Sequence, residues 1–277
     1  MDKPIPAYGR PLPAYGSDIF EFRGWVPKSG WQWVAGEEVD SERGQEKMFL
    51  VPVSPLEGGR YDPLQEKPAL YREFAETDPT PEGILRFANQ WGGLEKYGVD
   101  FRPKDEVKFP PRGPSEDPYF MCYHGETFET WEDSISMLRS SIQLWDMIQA
   151  GDIKGIQEQE FFKDFLSSER PTIEEIRDAG LRWIQIWVNA NLGRLAQPKL
   201  FFNENKSRLT IYVAPHNLRG AFWLQFARAI EGDFHYSRCV ECSGWMEIAV
   251  GSGRPDKKYC SNACRMRSYR KRRGVGS

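Results

Sequence analysis

The sequence predicts an α+β protein: a helix-rich body with short N-terminal strands and a β-hairpin, followed by a small cysteine-pinned module and a basic helix. Three observations carry that expectation. Short aromatic and β-branched runs before residue 53 give way to apolar residues spaced three and four apart. Two apolar runs flank a polar segment, Asn203 to Ser207. Four cysteines fall in two pairs close to the C-terminus.

Residues 1–18 read as an extended, proline-rich arm containing an echo, Pro6-Ala7-Tyr8-Gly9 and Pro13-Ala14-Tyr15-Gly16. Two copies are too few for a repeat architecture. The body is expected over residues 19–235, as a regulatory or sensing domain. Its strands are Ile19 to Phe22, Trp31 to Val34 and Met48 to Val51, each bounded by Gly, Pro or charge. A helix covers Ala69 to Glu76. The next starts at Thr80-Pro81, with Thr as cap and Pro at the first helical position, and stops at Gly92-Gly93. Five prolines and mixed charge make residues 98–118 a long surface loop.

From about Thr130 the pattern is helical, with Ile135, Leu138, Ile142 and Trp145 on one stripe. A capping box, Thr172 with Glu175, opens a long helix. Ile173, Ile176, Trp183, Trp187 and Ala190 share one stripe, and Ile184, Val188 and Leu192 lie elsewhere, so it is expected to be buried on most sides. Leu200 to Phe202 and Leu209 to Val213 form the hairpin. Leu218 to Ile230 is apolar almost all round, as a central core helix is. Six residues then separate Gly232 from Cys239, a link short enough to fix the terminal module against the body.

Composition narrows the function classes. Hydrophobic residues make up 40% of the 277 and charged residues 28%, with ten tryptophans, so a core forms and the chain is not disordered. No apolar run is long enough for a membrane span, and the first residues lack a secretory signal's apolar stretch; a cytoplasmic protein is expected. Five cysteines are too few for a disulfide scaffold. Cys122 stands alone, as a small core residue or a reactive thiol.

The other four pair as Cys239-x2-Cys242 and Cys260-x3-Cys264. That is the ligand count and spacing of a tetrahedral zinc site. Four thiolates leave no open position, so a structural Zn2+ is expected rather than a catalytic one. Gly244 eases the turn of the first knuckle, Trp245 to Val250 suits a strand, and Lys257-Lys258-Tyr259 returns the chain to the metal. Ser261 caps a helix whose first turn holds Cys264. Knuckle, hairpin and ligands at a helix start give residues 236–277 the layout of a treble-clef finger with a basic helix.

The total charge of −3 hides an asymmetry. Residues 254 to 273 hold nine Lys or Arg against one Asp, a net +8 that leaves −11 on the rest. An acidic body with a basic tip presents one end to a polyanion. The nucleic-acid candidates are Lys257, Lys258, Arg265, Arg267, Tyr269, Arg270, Lys271, Arg272 and Arg273. Charge all round a helix suits a groove with phosphates on both sides. Tyr269 is placed either to stack on a base or to pack back on the zinc hairpin. The bland reading of the run is a solvated, frayed tail.

Leu218-x2-Ala221-x-Trp223-Leu224-Gln225-Phe226-Ala227, then Cys239-x2-Cys242, then Lys258-Tyr259-Cys260-Ser261-x2-Cys264-Arg265-x-Arg267 resembles the bacterial CGNR zinc-finger proteins with an ABATE-type helical N-terminal domain. Tyr71-x2-Phe74-Ala75 and Pro81-x2-Ile84-Leu85-x-Phe87-Ala88-Asn89 are similar to the N-terminal part of bacterial proteins with this tail. The likeness covers about the last 150 residues in layout and the last 40 in motif. At the last ligand that family has Cys-Gly-Asn-Arg, where this chain has Cys264-Arg265-Met266-Arg267. The resemblance implies the four cysteine ligands, a basic helix and stress-linked transcription regulation.

No catalytic constellation is legible, and the chain is read as a non-enzyme. Cys122-x-His124 shows no orienting acid, His235 reads as a surface residue or a neighbour of the metal ligands, and Glu174-Glu175 suits a helix N-terminus. Gly251-Ser252-Gly253 lies inside the zinc hairpin and is no phosphate loop. The expected function is therefore DNA binding in transcription regulation. The alternatives are RNA binding and a zinc-stabilised protein-interaction module, with an acidic protein or a homodimer as partner.

Overall fold

A computed structural model of the chain describes residues 24–39, 46–54, 57–95, 98–104, 123–160, 171–203, 208–232, 235–248 and 257–272. The expected arm (1–18), the strand at Ile19 to Phe22, Cys122 and Arg273 lie outside the described residues.

The N-terminal part holds β1 (Gly24–Pro27), β2 (Trp31–Glu38), β3 (Glu46–Pro52) and β4 (Gly58–Tyr61). Three helices follow: α1 (Pro63–Glu66), α2 (Leu70–Ala75) and α3 (Pro81–Trp91). The Thr80 side chain accepts a hydrogen bond from Gly83 N, and Pro81 occupies the first turn, as the sequence predicts. Gly92 ends α3 at φ 92°, where the Trp25 carbonyl oxygen lies 2.2 Å from any Cβ, so only glycine fits.

β5 (Val99–Pro103) and β6 (Tyr123–Thr127) join β2 and β3 in a closed four-stranded barrel, ordered β2-β3-β6-β5. Residues 98–118 are thus not a loop throughout. Val99-Asp100-Phe101-Arg102-Pro103 does alternate, but it is short, ends on proline and runs into a proline- and charge-rich stretch, so it reads as loop. Barrel closure around Phe101 makes it a strand. Phe101 stacks on Phe49 with ring centroids 4.1 Å apart, and Val51 completes this small interior. Gly125 is required there, because a Cβ would sit 2.8 Å from Phe49 Cβ. Along β3, Phe49 and Val51 point into the barrel and Leu50 points into the helical core, as a two-residue period demands.

The helical layer comprises α4 (Phe128–Ala150), α5 (Ile153–Glu158), α6 (Ile173–Leu195) and α7 (Leu218–Glu231). α2, α3, α4, α6 and α7 share one core. Phe74, Phe87, Trp131 and Phe222 meet at its centre, with Phe74 stacked on Phe222 at 4.5 Å. The Thr172–Glu175 capping box is present at α6. The burial of α6 departs from expectation. Ile176, Ala179, Gly180, Trp183, Ile184 and Val188 form one buried face, whereas Ile173, Leu181 and Ile186 are exposed. The apolar residues off that face meet solvent because no further element covers them among the described residues. α7 is the core helix foreseen, buried from Leu218 to Phe226 except at Arg219.

Between α6 and α7 the hairpin runs as β7 (Ala196–Asn203) and β8 (Arg208–Pro215), a two-stranded sheet of its own. The chain then enters β9 (His235–Arg238), β10 (Trp245–Ile248) and α8 (Asn262–Arg272). No helix among the described residues is long and apolar enough to cross a membrane.

Candidate metal centre and basic helix

β9 and β10 pair antiparallel, with Arg238 opposite Trp245, and the first cysteine pair lies in the turn between them. The strand partner of Trp245–Ile248 is therefore the segment upstream of the knuckle. The sequence reading placed the hairpin downstream instead. Cys239 N donates to Gly244 O at 2.9 Å, and Ser243 N donates to Cys239 O at 2.8 Å. The left-handed residue in this turn is Ser243, at φ 57°, rather than Gly244.

The second pair comes back through the backbone. Val240 N donates to Lys258 O at 3.0 Å, which lays the returning chain beside the knuckle. Ser261 then caps α8, its Oγ accepting from Cys264 N at 3.2 Å. That cap turns the side chain of Cys264 inward. Cys239 and Cys264 are buried with Met246, and Tyr259 packs against them; Cys242 and Cys260 are exposed.

All four sulfurs lie within 4.8 Å of one another, and all four cysteines are unbridged. Cys242 Sγ is 3.6 Å from Cys260 Sγ, which is 3.5 Å from Cys264 Sγ. A tetrahedron with metal–sulfur bonds of about 2.3 Å has sulfur–sulfur edges of about 3.8 Å. The four cysteines could therefore coordinate one metal ion.

The electrostatics agree with that geometry. Burial opposes ionisation of Cys239, but backbone donors at Cys260, Cys242 and Glu241 outweigh it and lower its pKa to about 6. Burial and the thiols of Cys264 and Cys242 push Cys260 up to about 12. Sulfurs this close cannot all ionise unless a cation sits among them. Arg267 adds an Nη2–H donor 3.4 Å from Cys264 Sγ.

The expected nucleic-acid residues divide into two sets. Lys257, Lys258, Arg265, Arg267, Tyr269, Arg270, Lys271 and Arg272 are all exposed, and Cys264 is the one buried residue of α8. Three cations are tied to the module's own groups. Besides Arg267, Lys271 pairs with Glu241 at 2.7 Å, and Arg272 Nη2 donates to Tyr259 Oη at 3.4 Å. Arg265 and Arg270 have no such tie among the described residues. Tyr259, which also bonds Ser268 Oγ at 3.1 Å, is the aromatic that packs back on the cluster.

The module is docked on the body, as the short link implies. Trp245 Nε1 donates to Glu76 Oε2 at 3.1 Å, and Arg238 forms an ion pair with Glu76. Arg72 reaches from α2 toward Trp245 and Tyr236, held by a bidentate bond to Asp146 at 2.8 Å. Sequence reasoning missed Arg72, Glu76 and Arg238. Nothing in the sequence of a short helix already committed to the core signals that its Arg72 and its capping Glu76 face another module.

His124 does have an acidic neighbour: its Nδ1 lies 2.5 Å from Asp100 Oδ1 across the β5–β6 pair. The two are 24 residues apart, so spacing alone could not reveal the pairing. The sequence matches no protein-family model and no curated protein.

Proposed function

We propose that this protein is a zinc-dependent nucleic-acid-binding protein, with DNA preferred over RNA and transcription regulation as its role. The observation that carries the reading is the join between the cysteine cluster and α8. Cys264 is both a cluster member and a residue of the first turn of a helix whose other described residues are partly or fully exposed and strongly cationic. Zn2+ suits four sulfurs at tetrahedral spacing, and a closed sulfur shell makes it a structural ion. It fixes the start of α8, and docking on α2 fixes the module. Arg265 and Arg270 then meet phosphate first. Lys271 is largely exposed but stays tied to Glu241, whose side chain is buried and would be left without its cation if Lys271 moved to a phosphate. The resemblance to CGNR zinc-finger regulators supports the same reading.

The test is fluorescence anisotropy of zinc-loaded full-length protein on a DNA duplex, an RNA duplex and single strands over a range of salt. Four or five neutralised phosphates give a slope of about −4 in log affinity against log salt. Arg265→Ala with Arg270→Ala should weaken binding at least about tenfold and flatten the slope by about 2. Absence of binding at low salt would refute the reading.

A further inference from the structure

The hairpin β7–β8 carries an apolar face that the nucleic-acid reading does not use. The strand register places Pro198 opposite Val213, Leu200 opposite Ile211 and Phe202 opposite Leu209. With a two-residue side-chain period, these six residues share one face, and none is polar. At its base the sheet is anchored, since Ala196 and Ala214 are buried and His216 N donates to Leu195 O at 2.8 Å. Exposure then rises along β8 toward the loop, from Val213 at 37% to Ile211 at 52% and Leu209 at 61%. Leu200 and Phe202 are each 60% exposed.

Two-stranded ribbons have little stability unless a face is covered. Five large apolar side chains at these exposures leave about 500 Å² open, the size of patch that marks an interaction site on a soluble protein.

We infer that this face is a homodimer interface, with the hairpins of two copies packed face to face. The uncharged face is matched by another face of the same character. Residues outside the basic segment sum to −11, which disfavours nucleic acid or an anionic lipid surface against the body. Two copies would bury about 1,000 Å² together, the threshold for a specific interface. Cross-strand pairs of near-equal size make the face self-complementary about a two-fold axis, as a closed symmetric dimer requires. Two hairpins stacked this way form a small sandwich with sheets about 10 Å apart. The inference stands apart from the nucleic-acid reading, because no residue of α8 takes part.

The experiment is sedimentation velocity on the zinc-loaded full chain across micromolar concentrations. A species of twice the 32.1 kDa chain mass is expected. Phe202→Ser with Ile211→Ser should weaken the dimer at least about tenfold, since central apolar anchors dominate such contacts. Ile173→Ser, at an exposed apolar position on α6, should leave it unchanged. A photo-crosslinking phenylalanine analogue at position 202 should join Phe202 to the 208–213 strand of the second copy, a readout that does not depend on the folding of the double variant. A wild-type chain that stays monomeric, a dimer indifferent to both serines, or a monomer that instead binds phosphatidylcholine vesicles through this face would overturn the inference.

Discussion

The guanidinium carbon of Arg72 lies 4.9 Å from the ring centroid of Trp245. One residue belongs to the body and the other to the cysteine module, 173 positions later. Arg238 lies 4.5 Å from the same ring, and Tyr236 faces Arg72 at 5.4 Å. Asp146 and Tyr71 hold Arg72 charged against the cost of burial. A layered stack of cations and aromatic rings thus carries the docking. Arg72→Ala should cost about 1–3 kcal/mol in urea unfolding, because it removes a buried, hydrogen-bonded cation and its packing, while the half-exposed Asp146 regains water. Trp245→Ala should instead leave body stability within about 1 kcal/mol while releasing the module. Hydrogen exchange over residues 235–248 reads the difference, and equal losses from both variants would contradict this division.

On the proposed zinc reading, removing the ion should separate the two parts further. Structural zinc supplies about 10–16 kcal/mol in finger peptides, far more than the few polar contacts that hold α8. Chelation, or Cys264→Ser, should raise exchange across residues 257–272 to near the unfolded rate. Protection in α4 and α7 should persist, since their core contains no cysteine. Loss of protection in α7 as well would mean that the body depends on the centre.

Gln225 is a buried knot within α7. Its Nε2 donates to Pro63 O and Lys67 O, each at 2.7 Å, and its Oε1 accepts from Tyr71 N at 3.0 Å. Gln225→Leu fits the apolar surroundings but takes the acceptor from Tyr71 N and a donor from Pro63 O and Lys67 O, the last of which keeps Leu70 N at 3.0 Å. It should lower stability by about 2–4 kcal/mol, measurable as a fall in denaturation midpoint. A neutral effect would show that water satisfies those groups.

Glu126 sets a pH dependence. It is fully buried, and burial raises its pKa to about 7 from 4.5, against the opposing donors Glu95 N at 2.7 Å and Leu94 N at 3.0 Å. The folded state holds a proton that the unfolded state releases between about pH 4.5 and 7. This contribution is fully present below 4.5 and is lost as pH rises through 7, about 3 kcal/mol in all. Glu126→Gln cannot ionise and should flatten that part of the stability–pH curve. A variant with the wild-type slope would assign the titration to another group.

Much of this was legible in the residues themselves. Thr80 with Pro81 and Thr172 with Glu175 mark helix starts because a capped amide is a local need, met within four residues. The cysteine spacing marks the four-sulfur cluster because ligands for one tetrahedral ion must come from tight turns at short spacing. The apolar pattern of α6 implies burial on most sides, yet Ile173, Leu181 and Ile186 are exposed, because periodicity shows which residues are apolar and not which of them find a neighbour.

The sequence by itself determined the helices with strong stripes, the β7–β8 hairpin, the four-cysteine cluster and the cationic helix leading from it. Each depends on chemistry within a few residues or on a metal's fixed valence. Tertiary structure alone decided that Val99–Pro103 is a strand, that β10 pairs with β9, and that Arg72 meets Trp245. Those outcomes turn on which distant surfaces come together, and their free energy exists only once the core around Trp131 and Phe222 has placed them in contact.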